Sequence, residues 1–435
     1  MTCAALELEQ RLEGRSRNDT ELTRLIDAWQ HSSSPERALR WEVIATSAYS
    51  HDGLYEASAP YAPDIEAALD RLFLQDEDAY LAAVNMLYFY HVPAGRAQDA
   101  LRIIEHALAR LEDPWQLARH HYLMAMLYAR FLQPNDQDKA EWCLTHALAV
   151  LDRADLAEDE RHFQTVFLWN GLALVRLRQG RVPDALELCR AGAARLDEHL
   201  SPERHRLHRS VLLFNIAQIH AQIGPYEDAI EYFTQAMAVD PNYSEYYNDR
   251  GSVYLKMGMF EAAERDYRQA IELSPPYPEV WTNLGQCYRA MGRMDEAIHA
   301  YTRALDLSPD AMLATVGRAE AQAALDRPKL ALADYTRALS IEPDQPLVLA
   351  GRAVLHYEAG RLREALEDLD AALELAPDVA ELYQNRAVAL REVGDRDRAA
   401  SDLRTYLELA PNAEDRDQVE ASLRDAGAAV RPPSR

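Results

Sequence analysis

From Ser210 onward the chain repeats one pattern: two apolar stretches at helical spacing, a glycine between them and a proline after them. Pro241, Pro275, Pro309, Pro343, Pro377 and Pro411 lie 34 residues apart. Gly224, Gly258, Gly292, Gly360 and Gly394 keep the same step, and Asp326 fills the slot left between Gly292 and Gly360. Units of 34 residues therefore begin at Ser210, Ser244, Pro278, Met312, Pro346 and Ala380, and the last ends at Ala413. In each unit the eighth place is small: Ala217, Gly251, Gly285, Ala319, Ala353, Ala387. The twentieth is Ala229, Ala263, Ala297, Ala331, Ala365 and Ala399. The twenty-fourth is large and apolar: Phe233, Tyr267, Tyr301, Tyr335, Leu369, Leu403. The twenty-seventh is Ala236, Ala270, Ala304, Ala338 and Ala372, then Tyr406.

Each unit predicts a helical hairpin. Glycine ends the first helix because it accepts a left-handed backbone without steric cost. Proline ends the second because the residue before it is pushed out of the helical region. Small residues on facing helices let the axes approach, and the large residue beside them fills the adjoining space. One hairpin cannot bury both of its apolar faces, whereas stacked hairpins share a continuous core.

The pattern resembles the tetratricopeptide repeat family. Its fullest unit, from Trp281 to Pro309, carries the family's spaced aromatic and small residues in Trp281, Leu284, Gly285, Tyr288, Ala297, Tyr301, Ala304 and Pro309. The resemblance covers residues 210–413 and implies an all-α fold, a right-handed α-solenoid of stacked helical hairpins. It also implies a protein-binding role.

Two further places vary together. The seventh is Arg250, Arg318, Arg352 and Arg386 in the same four units whose twenty-third is Asp266, Asp334, Asp368 and Asp402. The other two units lack both members, with Ile216 and Tyr232, and Leu284 and Ala300. Paired gain and loss of this kind predicts an arginine–aspartate contact between the two helices of each of those hairpins.

Outside the regular array the pattern loosens. Residues 1–79 predict N-terminal helices, including Thr20–His31 and Pro35–Ser50. Residues 80–209 predict degenerate hairpins of the same type. Their second helices carry Ala100, Ile104 and Ala107, then Ala140, Leu144 and Ala147, then Ala185, Cys189 and Gly192, with Gly95 and Gly180 at turns. The connector 197–209 is a candidate hinge. Residues 414–427 predict a capping helix in which Val419 and Leu423 cover the last hairpin, and 428–435 a disordered tail.

The formal net charge of −25 argues against nucleic acid and anionic membranes as main partners. Cys3, Cys143, Cys189 and Cys287 are scattered, which fits a reducing compartment. With no signal-peptide pattern and no apolar run of spanning length, a cytoplasmic protein is expected. Basic residues are almost all arginine, Lys139, Lys256 and Lys329 excepted, a bias that points to a GC-rich bacterial genome. No phosphate-binding loop, nucleophile elbow or zincin motif occurs. No catalytic residue, metal or cofactor is expected, although His199, His205 and His208 cluster in the connector. Tyr80, Tyr88, Phe89, Tyr90, Tyr122, Tyr128, Trp142, Phe163, Phe167 and Trp169 make the first half aromatic, as core residues or as a ligand groove.

In a stacked hairpin array the first helices line a concave wall. Their outward residues fall at places two, five, six, nine, twelve and thirteen. In the family, asparagine at the sixth place often bonds the backbone of an extended peptide. The resemblance carries that role onto Asn215, Asn283 and Asn385, while Gly317 and Gly351 break the row. The candidate peptide-binding set is Asn215, Gln218, Asn248, Asp249, Lys256, Asn283, Gln286, Arg289, Glu320, Tyr357, Gln384 and Asn385. Acids on the wall (Glu245, Asp249, Glu279, Glu320, Glu358, Glu381, Glu392) outnumber bases (Lys256, Arg289, Arg391), which favours a neutral or basic segment. Leu313, Val316, Leu347, Ala350, Val354 and Tyr357 form an apolar run in the middle. The expected function is a scaffold or adaptor that binds a protein or peptide. The alternatives are a peptide-responsive regulator, or an enzyme or small-ligand binder with its site in the irregular half.

Overall fold

A computed structural model describes residues 62–75, 77–273 and 277–428. The helices expected at Thr20–His31 and Pro35–Ser50, and the tail beyond 428, lie outside the described residues. Among the described residues the protein is all-helical. No described helix is long and apolar enough to cross a membrane.

The chain divides into two compact units, one up to Tyr246 and one from Tyr247. In the first unit α1 (Ala62–Gln75) packs on α2 (Glu77–His91). Consecutive pairs follow: α2 with α3 (Ala97–Leu108), α4 (Pro114–Met126) with α5 (Gln137–Leu151), α6 (Glu158–Arg178) with α7 (Val182–His199), and α8 (Arg206–Ile223) with α9 (Tyr226–Val239). A π-helical turn, Leu127–Phe131, continues α4. The unit boundary falls within α10 (Ser244–Lys256), which precedes α11 (Phe260–Leu273). In the second unit α12 (Pro278–Ala290) pairs with α13 (Met294–Leu307), α14 (Met312–Ala324) with α15 (Pro328–Ile341), α16 (Pro346–Glu358) with α17 (Leu362–Leu375), and α18 (Ala380–Val393) with α19 (Arg396–Leu409). Last comes α20 (Arg416–Ala428), against α19.

The punctuation residues act through backbone geometry. Gly258, Gly292, Gly360 and Gly394 sit at φ of 73, 74, 70 and 86°, and Asp326 adopts the same left-handed conformation at φ 55°. Aspartate is among the few side chains that tolerate this region. Ser308, Glu342 and Ala376, each before a proline, leave the helix at φ of −135, −131 and −138°. Pro278, Pro328 and Pro346 occupy the first helical turn, where the missing N–H costs nothing.

Alanines at the twentieth and twenty-seventh places of the array are buried, and Phe233, Tyr267 and Tyr301 are fully so. The equivalent core in the first unit is Ala100, Ile104 and Ala107 on α3, Ala140, Leu144 and Ala147 on α5, and Ala185 and Cys189 on α7. At the C-terminal end Val419 and Leu423 of α20 join Leu403 and Tyr406 in one apolar cluster.

All four arginine–aspartate pairs form within their hairpins. Arg250 donates from Nε and Nη2 to the two oxygens of Asp266 at 2.7 and 2.8 Å. Arg318 grips Asp334 in the same way at 2.8 and 2.8 Å, Arg352 grips Asp368 at 2.8 and 2.7 Å, and Arg386 grips Asp402 at 2.8 and 2.8 Å. Every carboxylate is buried. The hydrogen bond to Asp368 holds the Arg352 pKa above its ordinary value. Where the pair is absent, apolar groups take its place: Ile216 and Tyr232 share one cluster, Leu284 and Ala300 another.

Candidate functional site

In the second unit the first helices keep an exposed side, on which Lys256, Glu279, Leu313, Leu347 and Glu381 lie. In the second unit α12 touches α14 directly, and α14 carries the next stretch of the same face. Asn248 on α10 donates from Nδ2 to Asp249 Oδ1 at 3.1 Å and accepts from Asn283 Nδ2 at 3.0 Å, so amides join α10 to α12. One step on, Arg289 on α12 pairs with Glu320 on α14 at 3.0 Å, both half-exposed. Gln286, Tyr357 and Asn385 are half-buried, and Lys256 is exposed. Gln384 is turned toward the cap, where it donates to Asp415; the same carboxylate accepts from Tyr406 Oη at 2.6 Å. Its amide N–H is thus engaged in holding the start of α20.

In the first unit Asn215 on α8 donates to Asn170 Oδ1 on α6 at 2.6 Å, and Gln218 is exposed one turn along. Asn170 is absent from the sequence-based set. It lies 45 residues before Asn215, outside the 34-residue step, so no ladder pointed to it.

The break in the asparagine row has a steric cause. A Cβ on Gly317 would stand 2.4 Å from Tyr301 Cζ and 2.7 Å from its oxygen. One on Gly351 would stand 2.8 Å from Tyr335 Cζ and 2.9 Å from its oxygen. Tyr301 and Tyr335 belong to the second helix of the preceding hairpin, so each phenol end occupies the space where a side chain would begin. On the other side Gly285 faces Tyr301 at 2.7 Å, and Gly251 faces Tyr267 at 2.9 Å. Every tyrosine at the twenty-fourth place therefore has a glycine on at least one flank. Hairpins with Phe233, Leu369 or Leu403 there carry Ala217, Ala353 and Ala387 at the eighth place. Burial pushes the Tyr301 and Tyr335 hydroxyls up to about 12, so both are neutral donors near neutral pH.

The sequence matches the tetratricopeptide repeat family over residues 164–242, 244–277, 278–311, 346–379 and 380–413. The chain is a tetratricopeptide repeat protein. The first of those matches begins inside α6 and takes the family past the regular array into α6 and α7. Among solved structures, the chain resembles PilF of Pseudomonas aeruginosa at 19% identity and a TM-score of 0.46, over 50% of this chain and 100% of that one. It resembles YrrB, described as a tetratricopeptide repeat protein with an unusual peptide-binding site, at 20% identity and 0.38, over 45% and 99%. It also resembles a tetratricopeptide repeat protein from Parabacteroides merdae at 18% identity and 0.46, over 61% and 99%. No curated protein matches the sequence.

Within this repeat protein the aromatic residues of the first unit divide by burial. Tyr80, Tyr88 and Tyr90 are buried, and Phe89, Tyr122, Tyr128, Phe163, Phe167 and Trp169 are half-buried. Trp142 on α5 is 59% exposed and stacks on His146 with ring centroids 5.1 Å apart. The connector histidines pack on other rings: His199 on His162 at 3.8 Å, His205 on Phe163 at 3.6 Å, and His208 edge-on to Phe163. Burial lowers the His208 pKa to about 4. The connector lies inside the first unit, where Arg209 ties it by donating to Leu196 O and Leu200 O. Beside Trp169 is an open cleft of about 400 Å³, lined also by Arg176 and Arg181. Both arginines are already engaged, Arg176 with Glu141 and Arg181 with Asp184 and Glu141.

Proposed function

We propose that this protein is a non-catalytic scaffold that holds an extended, neutral or basic segment of a partner protein against its first-helix face. The observation that carries this reading is the pairing of side-chain amides on first helices, seen within each unit by itself. Asn248 with Asn283 in the second unit, and Asn170 with Asn215 in the first, are held by one another at hydrogen-bond distance. An amide in such a pair keeps a further N–H and a further lone pair to offer, and these complement the C=O and N–H groups of an extended backbone. Asn385 holds the same place on α18, beyond the break at Gly317 and Gly351. Charge supports the sign of the partner. Arg289, one of the few bases on the face, is already neutralised by Glu320. A cytoplasmic setting goes with this reading, because Cys143, Cys189 and Cys287 are free buried thiols.

The experiment compares partner capture by the immobilised full chain with capture by a triple variant, Asn215→Ala, Asn283→Ala and Asn385→Ala, after circular dichroism shows both are folded. A partner held by the parent protein and lost from the variant is the expected result. Equal retention by both would overturn the amide row as the binding element.

A further inference from the structure

We infer that the second unit selects a particular kind of segment: two aliphatic side chains about three residues apart, flanked on each side by a lysine or arginine. This inference rests on the extended-segment reading above. Leu313 on α14 and Leu347 on α16 occupy the second place of adjacent hairpins and are 68% and 71% exposed. The same place is Glu279 on α12 and Glu381 on α18, both exposed, and neither is in an ion pair among the described residues. The sixth place runs Asn283, Gly317, Gly351, Asn385 along the same four helices. An apolar window two hairpins wide is thus framed on both sides by a carboxylate and an amide.

At Gly317 and Gly351 no side chain holds a bound main chain away from the helix. The hydroxyls of Tyr301 and Tyr335 stand there instead, 2.7 and 2.9 Å from the two absent Cβ positions. Tyr301 is fully buried, so its ring backs Gly317 from within the core. A segment whose backbone crosses the two glycines meets no side-chain amide there, and its side chains meet Leu313 and Leu347. First helices of neighbouring hairpins touch at α12 with α14 and at α16 with α18. With the same step of about 8–10 Å between α14 and α16, an extended chain that advances about 3.3 Å per residue crosses it in about three residues. One hairpin therefore corresponds to about three residues of the segment. The carboxylates of Glu279 and Glu381 fall one such step outside the aliphatic pair, where a cation complements them.

The test pans a phage library of random dodecapeptides on the immobilised full chain and measures the affinity of enriched peptides by fluorescence anisotropy. The expected consensus has aliphatic residues at i and i+3 with Lys or Arg at i−3 or i+6. Leu313→Ser with Leu347→Ser replaces two exposed side chains and should leave the circular dichroism unchanged while weakening binding about tenfold or more. Glu279→Gln with Glu381→Gln should weaken binding and reduce its salt dependence. Enriched peptides that lose binding with Asn283→Ala and Asn385→Ala, but bind the leucine variant as well as the parent, would overturn this inference and leave the extended-segment reading standing. Failure to enrich any peptide would overturn both.

Discussion

Arg318 and Asp334 show how a polar contact can be both specific and replaceable. Removing one member of a buried ion pair strands the other charge, at a cost of about 3–5 kcal/mol, whereas replacing both with apolar groups is often neutral. The Arg318 side chain is 18% exposed, so some solvation survives. Asp334→Ala is accordingly expected to destabilise the second unit by about 2–4 kcal/mol in urea unfolding. Arg318→Leu combined with Asp334→Ala copies the pairing of Leu284 with Ala300 and should return to within about 1 kcal/mol of the parent. A double variant as unstable as the single would show that the clasp does something its apolar counterpart cannot. The clasp was legible in the sequence because both members come and go together. The tyrosine–glycine match follows the same logic but was not read, because a mid-helix glycine first suggests weakened helix propensity and not a neighbour's ring. Its test is Gly317→Ala. The gain in helix propensity is about 1 kcal/mol, and forcing a methyl to 2.4 Å from Tyr301 Cζ costs about 1–3 kcal/mol. A net loss of stability is expected, recovered in part by adding Tyr301→Leu, which mimics Leu369 before Asn385. A stabilised Gly317→Ala would mean that the ring moves aside freely.

At the scale of elements, the period and the local signals have different reach. Glycine, proline and Asp326 set the turns of the regular hairpins through φ alone, so α12, α14, α16 and α18 start at Pro278, Met312, Pro346 and Ala380. The first unit of the array departs from that rule. Its first helix begins at Arg206, four residues before Ser210, because the preceding connector ends in His205 at φ 54° and the helix starts from there. A period measured from later hairpins carries no information about that local stop. The last hairpin departs too. Earlier units place alanine at the twenty-seventh position, while Tyr406 reaches Asp415 before α20 and shares that carboxylate with Gln384. Tyr406→Ala restores the repeat's own residue but removes this tether and leaves a void beside Val419. Hydrogen exchange should then rise in α20 and in the last turns of α19, with α12–α15 unchanged. Unaltered protection of α20 would show that Val419 and Leu423 alone hold it.

Across the whole molecule the titratable groups are unequally shared. In the first unit burial lowers the pKa of His91 and His162, and brings His120, His121 and His208 to about 4. In the second unit His356 is lowered, again by burial first. An unfolded chain protonates histidine near its ordinary value of about 6.5. Between there and about 4 the unfolded state therefore binds protons that the folded first unit refuses, and stability falls as pH falls. The three strongest cases contribute of the order of 1–3 kcal/mol each, fully present above about 6.5 and progressively lost toward 4. The carboxylates held low by partners, such as Glu141 beside Arg176 in the first unit, lose their contribution only at lower pH. Composition gave the histidines without their burial, and burial depends on which rings the irregular hairpins bring together, so this asymmetry was not legible in the sequence. Mild acid should loosen the first unit before the second. Segment-resolved hydrogen exchange from pH 7 to pH 4, corrected for the intrinsic exchange rate, should show protection falling first in α4 and α8, and His121→Leu should flatten that fall in α4. Protection lost in step across both units would mean that carboxylates, not buried imidazoles, govern the acid response of this chain.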